Sequence, residues 1–173
     1  MYFHRDVSEH VLSLTKGFPI IGIFGPRQSG KTTLARNLFP DYKYINLENL
    51  ATLEDIKINT EKFLKDNSNG LIIDEAQKYP ELFSYLQVVV ELKTIGKFIL
   101  TGSENYLLSN RISQSLAGRI GIVTLLPFSL SEKPQSDINE RIIQGSYPRL
   151  YESNIAPGDY YDAYIATYIE RDV

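Results

Sequence analysis

Apolar and polar residues alternate along the chain in two patterns. Short runs rich in Ile, Leu and Phe predict buried β-strands at residues 19–24, 43–47, 71–75, 98–103 and 120–126. Segments with apolar residues at helical spacing lie at residues 6–16, 32–39, 49–57, 60–65, 80–92, 107–116, 138–144 and 159–172. Strands that alternate with helices predict an α/β fold, with a parallel sheet of about five strands and helices on both faces.

The composition is that of an ordinary globular protein, with 43% apolar and 23% charged residues among 173. We expect a core at residues 1–135 and a helical segment at residues 136–173. The net charge of −3 argues against a stand-alone nucleic-acid-binding segment, because such segments usually carry a basic surface. The chain has no cysteine, which excludes disulfides and thiolate zinc sites.

The chain shows no signal for a membrane or for secretion. No apolar run approaches the ~18 residues of a membrane span. A secretory signal peptide would begin with basic residues followed by an apolar stretch, whereas the first ten residues of this chain contain acidic residues. We therefore expect a cytoplasmic protein without a membrane segment.

Residues 25–32, here called the phosphate loop, match the pattern G-x-x-x-x-G-K-S/T. The loop follows a predicted strand and opens a predicted helix, which is the context that a phosphate-binding loop requires. We expect the backbone and side chains of nine residues to bind the nucleotide: Gly25, Pro26, Arg27, Gln28, Ser29, Gly30, Lys31, Thr32 and Thr33. Lys31 suits the β- and γ-phosphates and the Thr32 hydroxyl suits Mg²⁺. The alternative is an ordinary glycine-rich turn.

Asp74 and Glu75 stand at the end of a predicted strand, where open α/β sheets bind their ligands. Asp74 would hold Mg²⁺ together with Thr32, and Glu75 would deprotonate the water that attacks the γ-phosphate. The alternative is a pair of acids that opens a solvated loop. The polar end of the next strand, with Thr101 and Ser103, should lie beside the same site. A hydroxyl there could contact the γ-phosphate or serve simple turn chemistry.

Several segments occur in an order that resembles one protein family: GPRQSGKTTLARNLFP, LIIDEAQKYPELF, FILTGS, SLAGR, LLPFSLSE, QGSYPRL and YIATYIERDV. They resemble the N-terminal ATPase domain of a prokaryotic family of AAA+-type ATPases, from about residue 18 to residue 173. The resemblance implies an ASCE-type P-loop fold whose Glu75 strand is separated from the phosphate-loop strand by the strand at residues 98–101. It also implies a C-terminal domain beyond this chain. Ser146 departs from the family pattern, where a second glycine is common.

The resemblance assigns roles to individual residues. Lys31 and Thr32 match Walker A, and Asp74 and Glu75 match Walker B. Ser103 falls at the sensor 1 position. Arg119, just before the fifth strand, matches the place of an arginine finger that acts on the nucleotide of a neighbouring subunit, which implies a possible homo-oligomer. Arg111 is a second candidate, and an ordinary surface arginine is the alternative.

These features lead to an ATP-hydrolysing domain with Mg²⁺ that drives or gates a C-terminal or partner domain. A nucleotide-dependent switch with little turnover is the second interpretation. A small-molecule kinase is disfavoured because Glu75 is placed to activate water, and a GTPase because no N-K-x-D motif follows residue 98. We expect the tyrosines at helical spacing near the C-terminus to pack together: Tyr160, Tyr161, Tyr164 and Tyr168.

Overall fold

A five-stranded parallel sheet runs through the computed structural model of this chain. The structure describes residues 2–91, 97–103, 114–133 and 137–169. In chain order the strands are β1 (Ile20–Phe24), β2 (Lys43–Asn46), β3 (Leu71–Asp74), β4 (Phe98–Gly102) and β5 (Ile120–Thr124). Their spatial order is β2-β3-β4-β1-β5, so β4 separates the phosphate-loop strand from the strand that ends in Asp74. This order and the parallel fold confirm the prediction.

The burial of the strands explains their sequences. Every residue of the three central strands β3, β4 and β1 is buried, because helices cover both faces of the sheet. Strands buried on both faces are nearly continuous runs of aliphatic residues rather than alternating ones. The edge strands β2 and β5 keep polar or exposed positions.

Most of the helices begin and end within about two residues of the bounds that the periodicity predicts. In the described part of the chain they are α1 (Ser8–Leu14), α2 (Lys31–Leu38), α3 (Leu50–Ile58), α4 (Thr60–Asp66), α5 (Leu82–Glu91), α6 (Ile138–Gln144), α7 (Arg149–Glu152) and α8 (Pro157–Tyr164). A short 3-10 helix, Ala76–Lys78, follows β3, and a π-helical segment, Ile165–Ile169, continues α8. Within the described ranges, none of the helices is long and apolar enough to cross a bilayer.

Two apolar layers sandwich the sheet. On one face, α1 and α2 bury Val11, Leu34 and Ala35 against Ile21 and Ile23 of β1. On the other face, α3, α4 and α5 supply the buried residues Leu53, Ile56, Leu64, Phe83 and Leu86. Alternate residues of β1 therefore face opposite apolar layers. The phosphate loop follows the end of β1, between the two layers.

The C-terminal part of the described chain differs in detail from the expectation. The predicted helix at residues 159–172 begins earlier, at Pro157, because proline is well suited to the first helical turn. The short helix α7 was not predicted. Most of the predicted helix at residues 107–116 lies outside the described residues. The predicted tyrosine packing is present: Tyr160 and Tyr164 are buried with Leu150, beside the partly buried rings of Tyr147, Tyr151, Tyr161 and Tyr168.

Candidate nucleotide-binding site

The phosphate loop connects the end of β1 to the start of α2. Gly25 has φ +148°, and a Cβ there would collide with the backbone carbonyl of Leu125. Gln28 and Gly30 adopt left-handed backbone conformations, with φ of 61° and 95°. Left-handed residues between right-handed ones turn successive N–H groups toward a common concavity, which is the geometry that binds anions. The first N–H groups of α2 have no partner within the helix and carry partial positive charge.

Lys31 is the first residue of α2 and is buried. Its Nζ donates a hydrogen bond of 2.7 Å to the carbonyl oxygen of Pro26, so the side chain folds back along the phosphate loop. Burial lowers the pKa of the Lys31 ammonium, while the nearby carboxylates of Glu75 and Asp74 oppose that shift. The ammonium therefore lies between the phosphate loop and the two acids.

Asp74 ends β3 and is buried, and its carboxylate accepts hydrogen bonds from three hydroxyl groups. The Thr32 hydroxyl lies 3.0 and 2.9 Å from the two carboxylate oxygens. The Tyr44 hydroxyl donates to Oδ2 at 2.8 Å, and the Thr101 hydroxyl donates to Oδ1. The structure thus places Asp74 beside the phosphate loop, as the sequence predicts. It also shows that Tyr44 and Thr101 contact Asp74, which the sequence did not predict.

The strand order explains this convergence. Because β4 lies between β1 and β3, Thr101 near its end stands next to Asp74. Because β2 lies on the other side of β3, Tyr44 pairs with Ile72 in register and reaches Asp74 two residues further along. Hydroxyl groups from three elements therefore meet one carboxylate.

Glu75 directly follows β3 in a left-handed conformation, with φ 56° and ψ 45°. This conformation is uncommon for a residue with a Cβ and costs on the order of 1–3 kcal/mol, so its surroundings must enforce it. Burial raises the pKa of the Glu75 carboxyl, although a hydrogen bond donated by the Gln77 side chain acts against the rise. A carboxyl with a raised pKa is suited to accept a proton from water.

Ser103 lies just after β4, beside the residues that bind Asp74 and Glu75. Its hydroxyl is buried and has no hydrogen-bond partner among the described residues. The Gln77 side chain packs closely against Gly102, leaving no room for a Cβ there. The structure therefore places Ser103 near the site, and its sensor role stays a prediction.

A cavity of about 610 Å³ opens over the phosphate loop, a size typical of small-molecule sites. Glu75 and Glu48 line it, together with six of the predicted nucleotide-binding residues: Arg27, Gln28, Gly30, Lys31, Thr32 and Thr33. The other three predicted residues, Gly25, Pro26 and Ser29, do not line the cavity. The Ser29 and Pro26 carbonyls accept hydrogen bonds from Arg5 and Lys31.

Part of the cavity wall is aromatic. Tyr2, Phe3 and Phe128 line it beside Pro148. The rings of Phe3 and Phe128 meet edge to face with centroids 5.1 Å apart. An apolar wall of this kind, next to an anion-binding loop, has the chemistry to hold a flat heterocycle joined to phosphates.

Arg5 holds the N-terminal segment against the phosphate loop. Its guanidinium donates to the Ser29 carbonyl at 2.8 Å and to the Leu126 carbonyl at 2.6 Å. It also pairs with Glu132 at 3.1 Å, and both side chains are only 4% exposed. The sequence carries no local signal for this contact, because its partners come from distant parts of the chain.

Helix α8 reaches the same loop from the other end of the chain. The Tyr160 hydroxyl donates to the Gln28 side chain at 2.9 Å, and the Tyr164 hydroxyl donates to the Arg27 carbonyl at 3.3 Å. The Arg27 guanidinium lies over the Tyr168 ring, 5.5 Å from its centroid. The tyrosine packing therefore also fixes the position of the phosphate loop.

Arg119 lies away from this site within its own chain. It precedes β5 and so lies at the amino-terminal ends of the strands, whereas the phosphate loop follows the carboxyl-terminal end of β1, the parallel neighbour of β5. Its guanidinium pairs with Glu91 and its side chain is 35% exposed. The structure does not bring Arg119 to the cavity, so only a role in a neighbouring subunit is compatible with the finger prediction. The second candidate, Arg111, lies outside the described residues.

The Thr32 hydroxyl and the Asp74 carboxylate are oxygen donors that could hold a Mg²⁺ ion. Across the described ranges, no group of three or more His, Cys, Asp or Glu residues is arranged to hold a metal. Mg²⁺ normally takes one or two protein oxygens and completes its shell with phosphates and water. The pair of Asp74, which is buried, and Thr32, which is partly buried, fits that requirement.

Comparison with known proteins agrees with this geometry. A family model described as an AAA domain matches residues 17–133. Two uncharacterized proteins, one of Mycobacterium bovis and one of Mycobacterium tuberculosis, are each 30% identical to this chain. Each alignment covers 98% of this chain and 39% of the relative's own length. A solved Walker-type ATPase of Pyrococcus abyssi aligns with 94% of this chain and 63% of its own, with TM-score 0.55 and 18% identity. That last likeness concerns the fold alone. The chain spans less than half the length of the curated relatives it matches.

Proposed function

This chain belongs to the AAA domain family, and we propose that it binds ATP with Mg²⁺ and hydrolyses the ATP to drive or gate a partner domain. One observation carries the proposal: Lys31, Thr32 and Glu75 line a single cavity, and Asp74 is hydrogen-bonded to Thr32 at its wall. The cytoplasmic location expected from the sequence stays a prediction.

The phosphate loop would bind the β- and γ-phosphates through the backbone N–H groups at the start of α2. Lys31 now donates to the Pro26 carbonyl and would exchange that acceptor for phosphate oxygens. The aromatic part of the cavity wall would hold the base.

Thr32 and Asp74 would hold Mg²⁺, which, when bound, neutralises charge on the phosphate oxygens. Glu75 would accept a proton from a water molecule as the water oxygen forms a bond to the γ-phosphorus. The bond from that phosphorus to the bridging oxygen breaks, which leaves ADP and inorganic phosphate. The raised pKa of Glu75 strengthens it as a base.

A nucleotide-dependent switch with little turnover is the second candidate. One observation favours it: Arg119 lies at the amino-terminal ends of the strands, and its own phosphate loop lies at their carboxyl-terminal ends. An isolated chain then has no finger arginine from this position, and fast hydrolysis would need a second copy or another subunit. The C-terminal domain implied by the resemblance is a further proposed partner.

The test compares ATP binding and phosphate release in the wild type and two variants over a range of protein concentrations. Glu75→Gln should keep the affinity for a fluorescent ATP analogue and lose hydrolysis. Lys31→Ala should lose affinity because the charge opposite the phosphates is gone. Lys62→Ala is the control, since Lys62 lies on the exposed side of α4 and pairs with Asp66.

Two results would contradict the proposal. Hydrolysis by Glu75→Gln at the wild-type rate would show that Glu75 is not the base. Absence of ATP binding by the wild type, with and without Mg²⁺, would remove the ATPase and the switch together. A rate per molecule that rises with protein concentration would support a finger supplied by a neighbouring copy.

A further inference from the structure

The Tyr44 phenol forms a contact with Asp74 that none of the motifs describes. Tyr44 lies in the edge strand β2, and its hydroxyl donates to Oδ2 of Asp74 at 2.8 Å. Thr101 donates to the other oxygen, and Thr32 lies within reach of both. A carboxylate with a separate donor on each oxygen has a fixed plane. Tyr44 and Thr101 therefore determine how Asp74 faces Thr32.

The ring of Tyr44 is itself held in place. It packs against the apolar layer that contains Leu34 and Ile72. The Arg36 guanidinium covers its outer face, 4.9 Å from the ring centroid. Arg36 lies one helical turn after Thr32, so both project from the same face of α2. The helix that presents the Thr32 hydroxyl thus also fixes the phenol that orients Asp74.

The phenol is the donor in this contact, because an ionised carboxylate can only accept hydrogen bonds. Tyr44 therefore holds the carboxylate through its O–H group and does not replace it as an oxygen donor to a cation.

We propose that Tyr44 is a positioning residue of the Mg²⁺ site, which sets the affinity for the cation through Asp74 and leaves the affinity for metal-free nucleotide unchanged. The inference rests on the proposed function. Partners that orient a metal-binding carboxylate typically change metal affinity 10–100-fold when they are removed. Loss of the Tyr44 hydroxyl would leave Oδ2 of a buried carboxylate with the Thr32 hydroxyl alone, which is shared between both oxygens, and would free the carboxylate to turn.

The test uses Tyr44→Phe, which removes one oxygen and keeps the ring. Its matched control is Tyr42→Phe, because Tyr42 lies in the loop that precedes β2 and packs on Phe39 with ring centroids 5.0 Å apart. Binding of a fluorescent ATP analogue is measured first in EDTA and then over a Mg²⁺ titration. Binding of Mn²⁺ in the presence of a non-hydrolysable ATP analogue is measured in parallel by electron paramagnetic resonance.

In Tyr44→Phe, we expect the Mg²⁺ midpoint and the Mn²⁺ dissociation constant to rise about tenfold or more. The affinity in EDTA should stay within about twofold of the wild type, and Tyr42→Phe should match the wild type in every measurement. An unchanged Mg²⁺ midpoint would overturn the inference. An equal loss of affinity in EDTA would overturn it as well, because it would show a general packing role.

Two further outcomes are decisive. If Tyr44→Phe does not fold, Arg36→Met replaces it, because Arg36 is exposed and covers the ring without contacting Asp74. A raised Mg²⁺ midpoint in Arg36→Met would then support the inference, and an unchanged midpoint would refute it. A wild type that binds no ATP would refute the proposed function first, whereas a wild type with Mg²⁺-dependent binding and an unaffected Tyr44→Phe would refute this inference alone.

Discussion

Replacement of Arg5 by methionine removes a buried guanidinium and keeps most of the aliphatic stem. The change deletes the donors to the Ser29 and Leu126 carbonyls and the ion pair with Glu132. It also removes the guanidinium from the face of the Phe128 ring, where it lies 5.0 Å from the centroid. In the variant, the buried Glu132 carboxylate and the Ser29 and Leu126 carbonyls therefore lose their contacts with Arg5.

The expected loss of stability follows from those contacts. Removing one partner of a buried ion pair costs about 3–5 kcal/mol. The Glu132 carboxylate keeps hydrogen bonds from the backbone N–H groups of Asp6 and Ser129, which favours the lower end, about 3 kcal/mol. For a chain of this size each kcal/mol lowers Tm by about 2–4 °C, so we expect a fall of about 6–12 °C.

A double-mutant cycle with Glu132→Gln separates the ion pair from the two carbonyl contacts. The pair of Arg119 and Glu91 provides the control cycle, because those side chains are 35% and 48% exposed. Exposed pairs typically couple by less than about 1 kcal/mol. A fall in Tm for Arg5→Met no larger than that for Arg119→Met would refute the reasoning. A normal affinity for ATP in Arg5→Met would show that this contact does not shape the phosphate loop.

Three further outcomes are expected. Gly25→Ala should lower Tm more than Gly118→Ala, as measured by differential scanning fluorimetry. Both glycines have positive φ, but a Cβ at Gly25 would meet the Leu125 carbonyl, whereas a Cβ at Gly118 would meet open space. Equal falls in Tm would contradict the close approach of Leu125 to Gly25. As the pH falls, ATP turnover should be lost at a pH above 4.5, the ordinary pKa of a glutamate carboxyl, because the pKa of Glu75 is raised and the base must be ionised. Loss of turnover only at or below pH 4.5 would contradict the raised pKa of Glu75. Arg119→Ala should reduce turnover without changing ATP affinity in a preparation shown to be oligomeric, and unchanged turnover there would remove it as a finger.

The elements that the sequence predicted well are those whose signals are local. The central strands β1, β3 and β4 are buried on both faces, so each is a nearly continuous aliphatic run. The phosphate loop is equally local, because the glycines, Lys31 and Thr32 are adjacent in the chain. These signals were enough to infer the fold and to place Asp74 next to Thr32.

The contacts that the sequence missed depend on the order of the strands and on distant segments. Tyr44 reaches Asp74 because β2 is the neighbour of β3, which periodicity alone does not show. The Arg5 side chain binds a carbonyl 121 residues away, and Tyr160 binds Gln28 across 132 residues. Such contacts come from the folded geometry of the whole chain, so no short pattern contains them.

A crystal structure of the Glu75→Gln variant, grown with ATP and Mg²⁺, tests the central claim most directly. We expect the triphosphate on the backbone N–H groups that precede and open α2, with Lys31 released from the Pro26 carbonyl. The cation should lie against Thr32 on the side facing Asp74. A nucleotide bound elsewhere, or a triphosphate whose cation does not approach Thr32 and Asp74, would contradict the account.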